Sequence, residues 1–175
     1  MKNLGRRRPH LTGVRGRLFR GQMTTTAMTN ARRASRPVRN LVGAILSAAD
    51  ASAEGELFRG VLDGLPVSEV TPLLRLGFTD DELACSMDMN RRTLTRRRAS
   101  KARLSTGESD RLVRLARIVA QAIRESFETP EQALCWLRES NNALGGKTPL
   151  DSLRAESGAA LVRRILGTIA YGGVL

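Results

Sequence analysis

Residues 79–98 read TDDELACSMDMNRRTLTRRR, and the fold turns on them. Thr79 with Glu82 three positions on is a capping box, which predicts a helix from Asp80. Leu83, Ala84 and Met87 then share one face of that helix. The pattern breaks at Asp88 and Met89. Asn90 predicts the cap of a second helix, with Leu94 inward and Arg91, Arg92, Thr95 and Arg96 outward. Small Ala84 lets the two helices cross closely. Two short helices joined this way make a helix-turn-helix, whose second helix enters the DNA major groove. Arginine and asparagine suit that place because they bond base edges in bidentate pairs. The expected DNA-facing set is Asn90, Arg91, Arg92, Thr93, Thr95, Arg96 and Arg98. Two positions depart from the usual pattern. Asp88 stands in the turn where glycine is common, although it tolerates the left-handed region better than most residues. Arg97 stands where an apolar residue is common. The competing reading is a plain helical hairpin with a solvated arginine face.

The charge of the chain favours a polyanionic partner. Net charge is +12 over 175 residues, and only 3% of the chain is aromatic against 41% apolar. A core built of Leu, Val, Ile and Ala suits helices better than sheets. Eleven of the twelve net charges come from residues 1–40, which hold no acid. The rest of the chain is therefore close to neutral, yet Arg91, Arg92, Arg96, Arg97, Arg98, Lys101 and Arg103 cluster without an acid among them. That local concentration at the second helix weighs more than the total.

Residues 1–39 predict a disordered basic tail, rich in Arg, Gly, Thr and Ser and without a sustained period. Three readings of it compete: a basic arm for non-specific phosphate contacts, an organellar transit peptide, or a stretch upstream of a true start at Met23 or Met28. Asn40 predicts a short helix with Val42, Ile45, Leu46 and Ala49 inward. Leu57, Phe58, Val61 and Leu62 form the next stripe, stopped by Gly64. Val67, Val70 and Leu74 keep helical spacing up to Gly77, with Pro72 a point of division. Ser105 and Glu108 form a second capping box, which predicts the longest helix over 106–128 on Leu112, Leu115, Ala116, Val119, Ala122, Ile123 and Phe127. Thr129, Pro130 and Gln132 open a helix carrying Ala133, Leu134 and Leu137, with Trp136 at its side. The last helix, from about Ser157 to Tyr171, lines up Leu161, Ile165 and Ile169 with Val162 and Leu166 beside them. No strand-like alternation shows from residue 40 on, so the expected class is all-α.

Two parts of the chain resemble one family. The residues 127–175 look like the toxin-binding domain of the Xre/MbcA/ParS-type antitoxins of bacterial type II toxin–antitoxin systems. The likeness lies in Pro130 with Ala133 and Leu134; in Trp136, Leu137 and Asn142; in the L-G-G-x-T-P-L run from Leu144 to Leu150; in Gly158, Val162 and Leu166; and in the closing Tyr171-Gly172. The middle part resembles that family's helix-turn-helix through Leu76-Gly77, Thr93-Leu94, Arg96-Arg97, Leu104-Ser105, Glu108-Ser109 and the run Arg114, Leu115, Ala116. The resemblance implies a Cro/repressor-like DNA-binding and dimerisation region over 40–126 and a small helical toxin-binding domain over 127–175. It also implies a cytoplasmic homodimer that binds operator DNA, represses its own operon and neutralises a cognate toxin. That toxin is often a RES-domain enzyme acting on NAD, and the end of the chain is expected to reach into its active-site cleft. The implied toxin-binding set is Trp136, Leu144, Gly145, Gly146, Thr148, Pro149, Tyr171, Gly172, Val174 and Leu175.

Plainer readings stand beside these roles. Trp136 serves as a core face, the Gly145-Gly146 pair as backbone shape, Thr148-Pro149 as a helix start and Tyr171 as a core edge or an interface anchor. The rival functions are a stand-alone repressor whose C-terminal part dimerises or binds an effector, and a nucleoid-type binder that uses the basic tail. An enzyme is not expected. His10 is the one histidine, and neither a phosphate-cradling glycine loop nor a metal-spaced carboxylate cluster is present. No cofactor, metal or membrane partner is expected, and Cys85 and Cys135 read as small buried hydrophobes with free thiols.

Overall fold

Side chains of Thr79, Asn90, Ser105, Thr129 and Thr148 cap the helices that follow them and fix where those helices begin. The computed structural model describes residues 44, 45 and 51–172, and all element assignments refer to these. The expected tail over 1–39, the helix after Asn40 apart from Ala44 and Ile45, and Gly173, Val174 and Leu175 lie outside them. Helix α1 spans Ala51–Leu62, a 3-10 turn spans Val67–Val70, and α2 spans Thr71–Arg75 with Pro72 in its first turn. The helix-turn-helix is α3, Asp80–Ser86, and α4, Arg91–Ala99. Then come α5, Thr106–Gln121; a π-helical turn, Ala122–Ser126; α6, Pro130–Arg138; a 3-10 turn, Asn142–Leu144; α7, Pro149–Ser152; and α8, Glu156–Ala170. Thr79, Ser105 and Thr129 each cap their helix in a full capping box, with Glu82, Glu108 and Gln132 returning the bond. The fold is all-α, and among the described residues the β-type pairing is an isolated bridge between Pro66 and Arg103.

Helix α5 is the centre of the packing. Leu112, Val113, Leu115, Ala116, Ile118, Val119 and Ala120 are all buried, so its apolar surface runs most of the way round. A helix of that kind must be covered on several sides. Helices α1, α3 and α8 supply the cover. Helix α8 lies beside α5 and runs in the same direction. Arg114 donates to the Leu153 carbonyl at 3.3 Å, Gln121 to that of Arg163 at 3.5 Å, and Ser126 to that of Leu166 at 3.1 Å. The buried side chains of the helix-turn-helix and of α6 to α8 form one continuous cluster. Each of its large aliphatic members contributes about 1.5–3 kcal/mol relative to exposure.

Four expectations need correction. The long helix does not run to 128: after Gln121 it widens into the π turn, where the Phe127 N–H bonds the Ala122 carbonyl five residues back at 3.0 Å. Phe127 then leaves in an extended conformation and meets the Trp136 ring, with centroids 5.6 Å apart. In α1, Leu57 is buried and Val61 half-buried, but Phe58 and Leu62 are 64% and 54% exposed. The Phe58–Leu62 line lies about 100° round from the Leu57–Val61 line, beyond the stripe that α5 covers. In α8 the buried line is Ala159, Val162, Ile165 and Leu166, with Leu161 at the surface. Both cysteines are exposed rather than buried.

Gly158 lets α8 start against α7. A Cβ there would press into the Ser152 carbonyl group, whose carbon would lie at 2.9 Å. Gly167, in the same helix, has open space where its Cβ would go. Gly158→Ala is expected to destabilise the chain by about 1–3 kcal/mol through overpacking, whereas Gly167→Ala is neutral or stabilising. Urea denaturation of the two variants beside the parent checks both.

Candidate functional site

The helix-turn-helix closes on Leu83, Met87 and Leu94, all fully buried. Its turn passes through Asp88, which has φ 59, so the aspartate does take the left-handed conformation that glycine usually supplies. The Asp88 carboxylate is paired with Arg154 at 3.2 Å and with Arg111 at 3.6 Å. Asn90 caps α4 by accepting from the Arg92 N–H at 2.8 Å. The expected DNA-facing set lies on this one helix, but its members differ in freedom. Arg91 donates to Asp81 at 3.1 Å, and Arg98 to Asp80 at 2.7 Å, both acids of α3. Thr95 donates to the Arg91 carbonyl at 3.1 Å, and Thr93 is half-buried. Arg92 and Arg96 are exposed, four residues apart on one face, and form no ion pair among the described residues. Arg97, the apparent misfit, turns back to pair with Glu108 of α5.

The implied partner-facing residues are distributed over three places. Trp136 is half-buried on α6 against Phe127. Leu144, Gly145 and Gly146 form the following turn, and both glycines have positive φ, 66° and 79°. Leu144 and Pro149 are buried in the core, and the Thr148 hydroxyl caps α7 by accepting from the Asp151 N–H at 3.0 Å. Tyr171 stands beyond α8 at 92% exposure, followed by exposed Gly172. Val174 and Leu175 lie outside the described residues.

Comparison with known proteins agrees with both halves. Residues 56–117 match the antitoxin Xre-like helix-turn-helix domain, and residues 122–172 match the antitoxin Xre/MbcA/ParS C-terminal toxin-binding domain. The chain belongs to the Xre/MbcA/ParS-type antitoxin family. It is 35% identical over 95 residues to a protein of Sphingobium sp. (strain YBL2) named Prs ADP-ribosylating antitoxin, covering 50% of this chain and 60% of that one. It is 28% identical over 126 residues to Antitoxin Xre of Yersinia enterocolitica, covering 62% of this chain and 85% of the relative. A chain from the M. tuberculosis MbcT-MbcA toxin-antitoxin complex aligns with a TM-score of 0.49 at 28% identity, over 62% of this chain and 96% of that one. Neither matched domain of the family is a catalytic one. Among the described residues no cluster of His, Cys, Asp and Glu could hold a metal ion, and no helix is long and apolar enough to cross a membrane.

Arg138, which ties the C-terminal part to the helix-turn-helix, carries no signal of that role in the sequence. It comes from the domain matched as toxin-binding, grips Glu82 through Nε and Nη2, at 2.7 and 3.1 Å, and donates from Nη2 to the Gly77 carbonyl at 2.9 Å. Glu82 is also the N3 residue of the α3 capping box, where its carboxylate accepts from the Thr79 N–H at 2.7 Å. Burial pushes the Glu82 carboxyl up, but the bonds from Arg138 and Thr79 outweigh it and hold the group below its ordinary range. Glu108 is built alike: burial pushes it up, while the Ser105 N–H and Arg97 bring it below. On Glu156 the bond from Arg163 acts first, against a smaller push from burial, and the net direction is again downward.

A carboxylate with a lower value in the folded chain than in the unfolded one leaves the unfolded state with more protons as pH falls. The stability these groups give is complete above the ordinary carboxylate value of 4.5 and is lost as pH falls through the lower folded values. The melting temperature is therefore expected to drop below about pH 5. A Glu82→Gln, Glu108→Gln double variant should be less stable at neutral pH and show a shallower acid slope. Thermal melts from neutral to acid pH measure this.

Proposed function

We propose that the chain neutralises a cognate toxin by binding it and represses its own operon by binding operator DNA as a homodimer. One observation carries this reading: the same core that turns Arg92 and Arg96 outward on α4 also presents the chain's one tyrosine, Tyr171, at 92% exposure. Residues 40–126 take the DNA and the second copy, and residues 127–175 take the toxin. A homodimer fits because paired recognition helices read half-sites one helical turn apart, about 34–36 Å. On α4, Arg92 and Arg96 read base edges, while Arg91 and Arg98, shared with Asp81 and Asp80, set the pose and meet phosphate. Asn90, Thr93 and Thr95 complete the helix's approach.

On the toxin side, Trp136, the Leu144, Gly145, Gly146 turn, Thr148, Pro149 and the end from Tyr171 on form the contact region. Leu144, Thr148 and Pro149 act by fixing its backbone, and Tyr171 by inserting an apolar ring with a polar tip into the partner. Gly172, Val174 and Leu175 follow it into the partner's cleft. The toxin is of the RES type, acting on NAD. The name of the Sphingobium relative, Prs ADP-ribosylating antitoxin, supports the NAD chemistry in this reading, since ADP-ribosylation consumes NAD.

Co-expression of the chain with the product of the adjacent reading frame, followed by purification, tests the assignment. A stable complex and relief of growth arrest are expected; a chain that binds its upstream DNA with no protein partner would instead be a stand-alone repressor. Arg92→Ala and Arg96→Ala should each lose about 1–3 kcal/mol of operator discrimination in a gel shift, with Arg91→Ala losing less. Tyr171→Ala should weaken the toxin complex by about 2 kcal/mol or more while leaving operator affinity intact. Calorimetry of the complex beside the same gel shift separates the two effects.

A further inference from the structure

Lys101 sits in a backbone conformation that its side chain does not favour. Its φ is 51°, in the left-handed region where glycine and asparagine are at ease. The chain turns sharply off α4 there: the Lys101 N–H bonds the Arg98 carbonyl at 3.2 Å, and the Ala102 N–H bonds that of Arg97 at 3.0 Å. A glycine would make this turn with less strain. The lysine is exposed and forms no ion pair among the described residues. A strained residue kept against the conformational preference points to a use for its side chain.

A cavity of about 380 Å³ opens beside it, lined by Pro66, Val67, Ser68, Thr71, Arg98 and Lys101. Its two lips are stitched together by backbone pairing. The Val67 N–H bonds the Ala102 carbonyl at 3.0 Å, the Leu104 N–H bonds that of Leu65 at 2.8 Å, and Pro66 bridges Arg103. Buried Val67 is on the inner side, and exposed Ser68 and half-buried Thr71 add hydroxyls to the two cations. Arg98 is held by Asp80 at 2.7 Å, which leaves Lys101 as the cation of the cavity with no ion pair among the described residues. Position along α4 suggests the ligand. Lys101 follows the Ser100 C-cap of α4, the helix proposed to enter the groove, so the cavity flanks that helix. A cationic cavity beside a groove-reading helix suits the DNA backbone, where contacts position the protein without reading sequence.

We propose that this cavity seats a backbone phosphate of the bound DNA, with Lys101 supplying charge and the Ser68 and Thr71 hydroxyls donating to phosphate oxygens. The proposal rests on the DNA-binding reading above and adds a contact that positions α4 without reading sequence. The test uses the full chain and a DNA fragment from upstream of its own reading frame, titrated by fluorescence anisotropy over a series of salt concentrations. Lys101→Gly and Lys101→Asn remove the charge while suiting the left-handed turn. Both should weaken binding to operator and unrelated DNA alike, by about three- to tenfold near 0.1 M salt, and lower the salt slope by about one. Lys101→Arg should restore both. Lys101→Gly should also raise the melting temperature, a gain in stability that accompanies a loss of affinity. Unchanged affinity and slope in Lys101→Gly would overturn the proposal, even with Arg92→Ala losing discrimination. So would a loss confined to operator DNA, which would make Lys101 a base reader, or a fall in melting temperature, which would make it a packing residue. Failure of the parent chain to bind any DNA would remove the underlying DNA-binding reading itself.

Discussion

Two carboxylates, Glu82 and Glu108, hold the helix-turn-helix in position, because each is bound from two directions. Each is the third residue of a capping box and accepts from the backbone N–H of its cap, Thr79 or Ser105, at 2.7 Å. Each also receives an arginine from another helix: Arg138 of α6 on Glu82, and Arg97 of α4 on Glu108. A cap alone fixes where a helix begins. A cap whose carboxylate is shared with a second helix also fixes how the two helices lie. Burial works against charged carboxylates, yet both groups are held below their ordinary range, so the bonds outweigh the desolvation.

Helix α4 depends on that arrangement more than any other element. It is nine residues long and has a single buried residue, Leu94. A helix so short and polar is not stable alone in water, because nucleation costs more than its few hydrogen bonds return. Its order comes from the Asn90 cap, from Leu94 in the core, and from Asp80, Asp81 and Glu108, which hold Arg98, Arg91 and Arg97. The same acids sort the arginines. Three of the five on α4 are tied back to the protein, and Arg92 and Arg96 are left outward.

The C-terminal part is bound to the helix-turn-helix by side chains as well as by the shared core. Arg138 reaches Glu82 and the Gly77 carbonyl at the start of α3, and Arg154 reaches Asp88 in the turn at its end. Helix α3 is thus held at both ends by arginines from residues 130–154. This arrangement gives Asp88 a role beyond its backbone conformation. A glycine would turn there with less strain, but it would leave Arg111 and Arg154 without their partner.

Much of the fold was legible because its signals are local. Thr79 with Glu82, Ser105 with Glu108, Thr129 with Gln132 and Asn90 each act within three residues, and a capping hydrogen bond needs nothing from the rest of the chain. The same holds for the helical class, for the stop at Gly64 and for the positive φ of Asp88 and the Gly145-Gly146 pair. The family was also legible in the sequence, where Trp136, the L-G-G-x-T-P-L run and Arg96-Arg97 carry the resemblance, and both matched domains agree with it. What only the tertiary structure decided are contacts between distant residues and the faces left uncovered. Arg138 finds Glu82 across 56 positions. Phe58 and Leu62 stay exposed because α5 covers only the neighbouring stripe, and the cysteines face outward because apolar periodicity does not say how wide a buried face is. The π turn at Ala122–Ser126 and the left-handed Lys101 have no residue signature, since each is set by the packing around it. Hydrogen bonds within one turn are fixed by adjacent residue types, whereas burial and ion pairing depend on which surfaces the whole chain brings together.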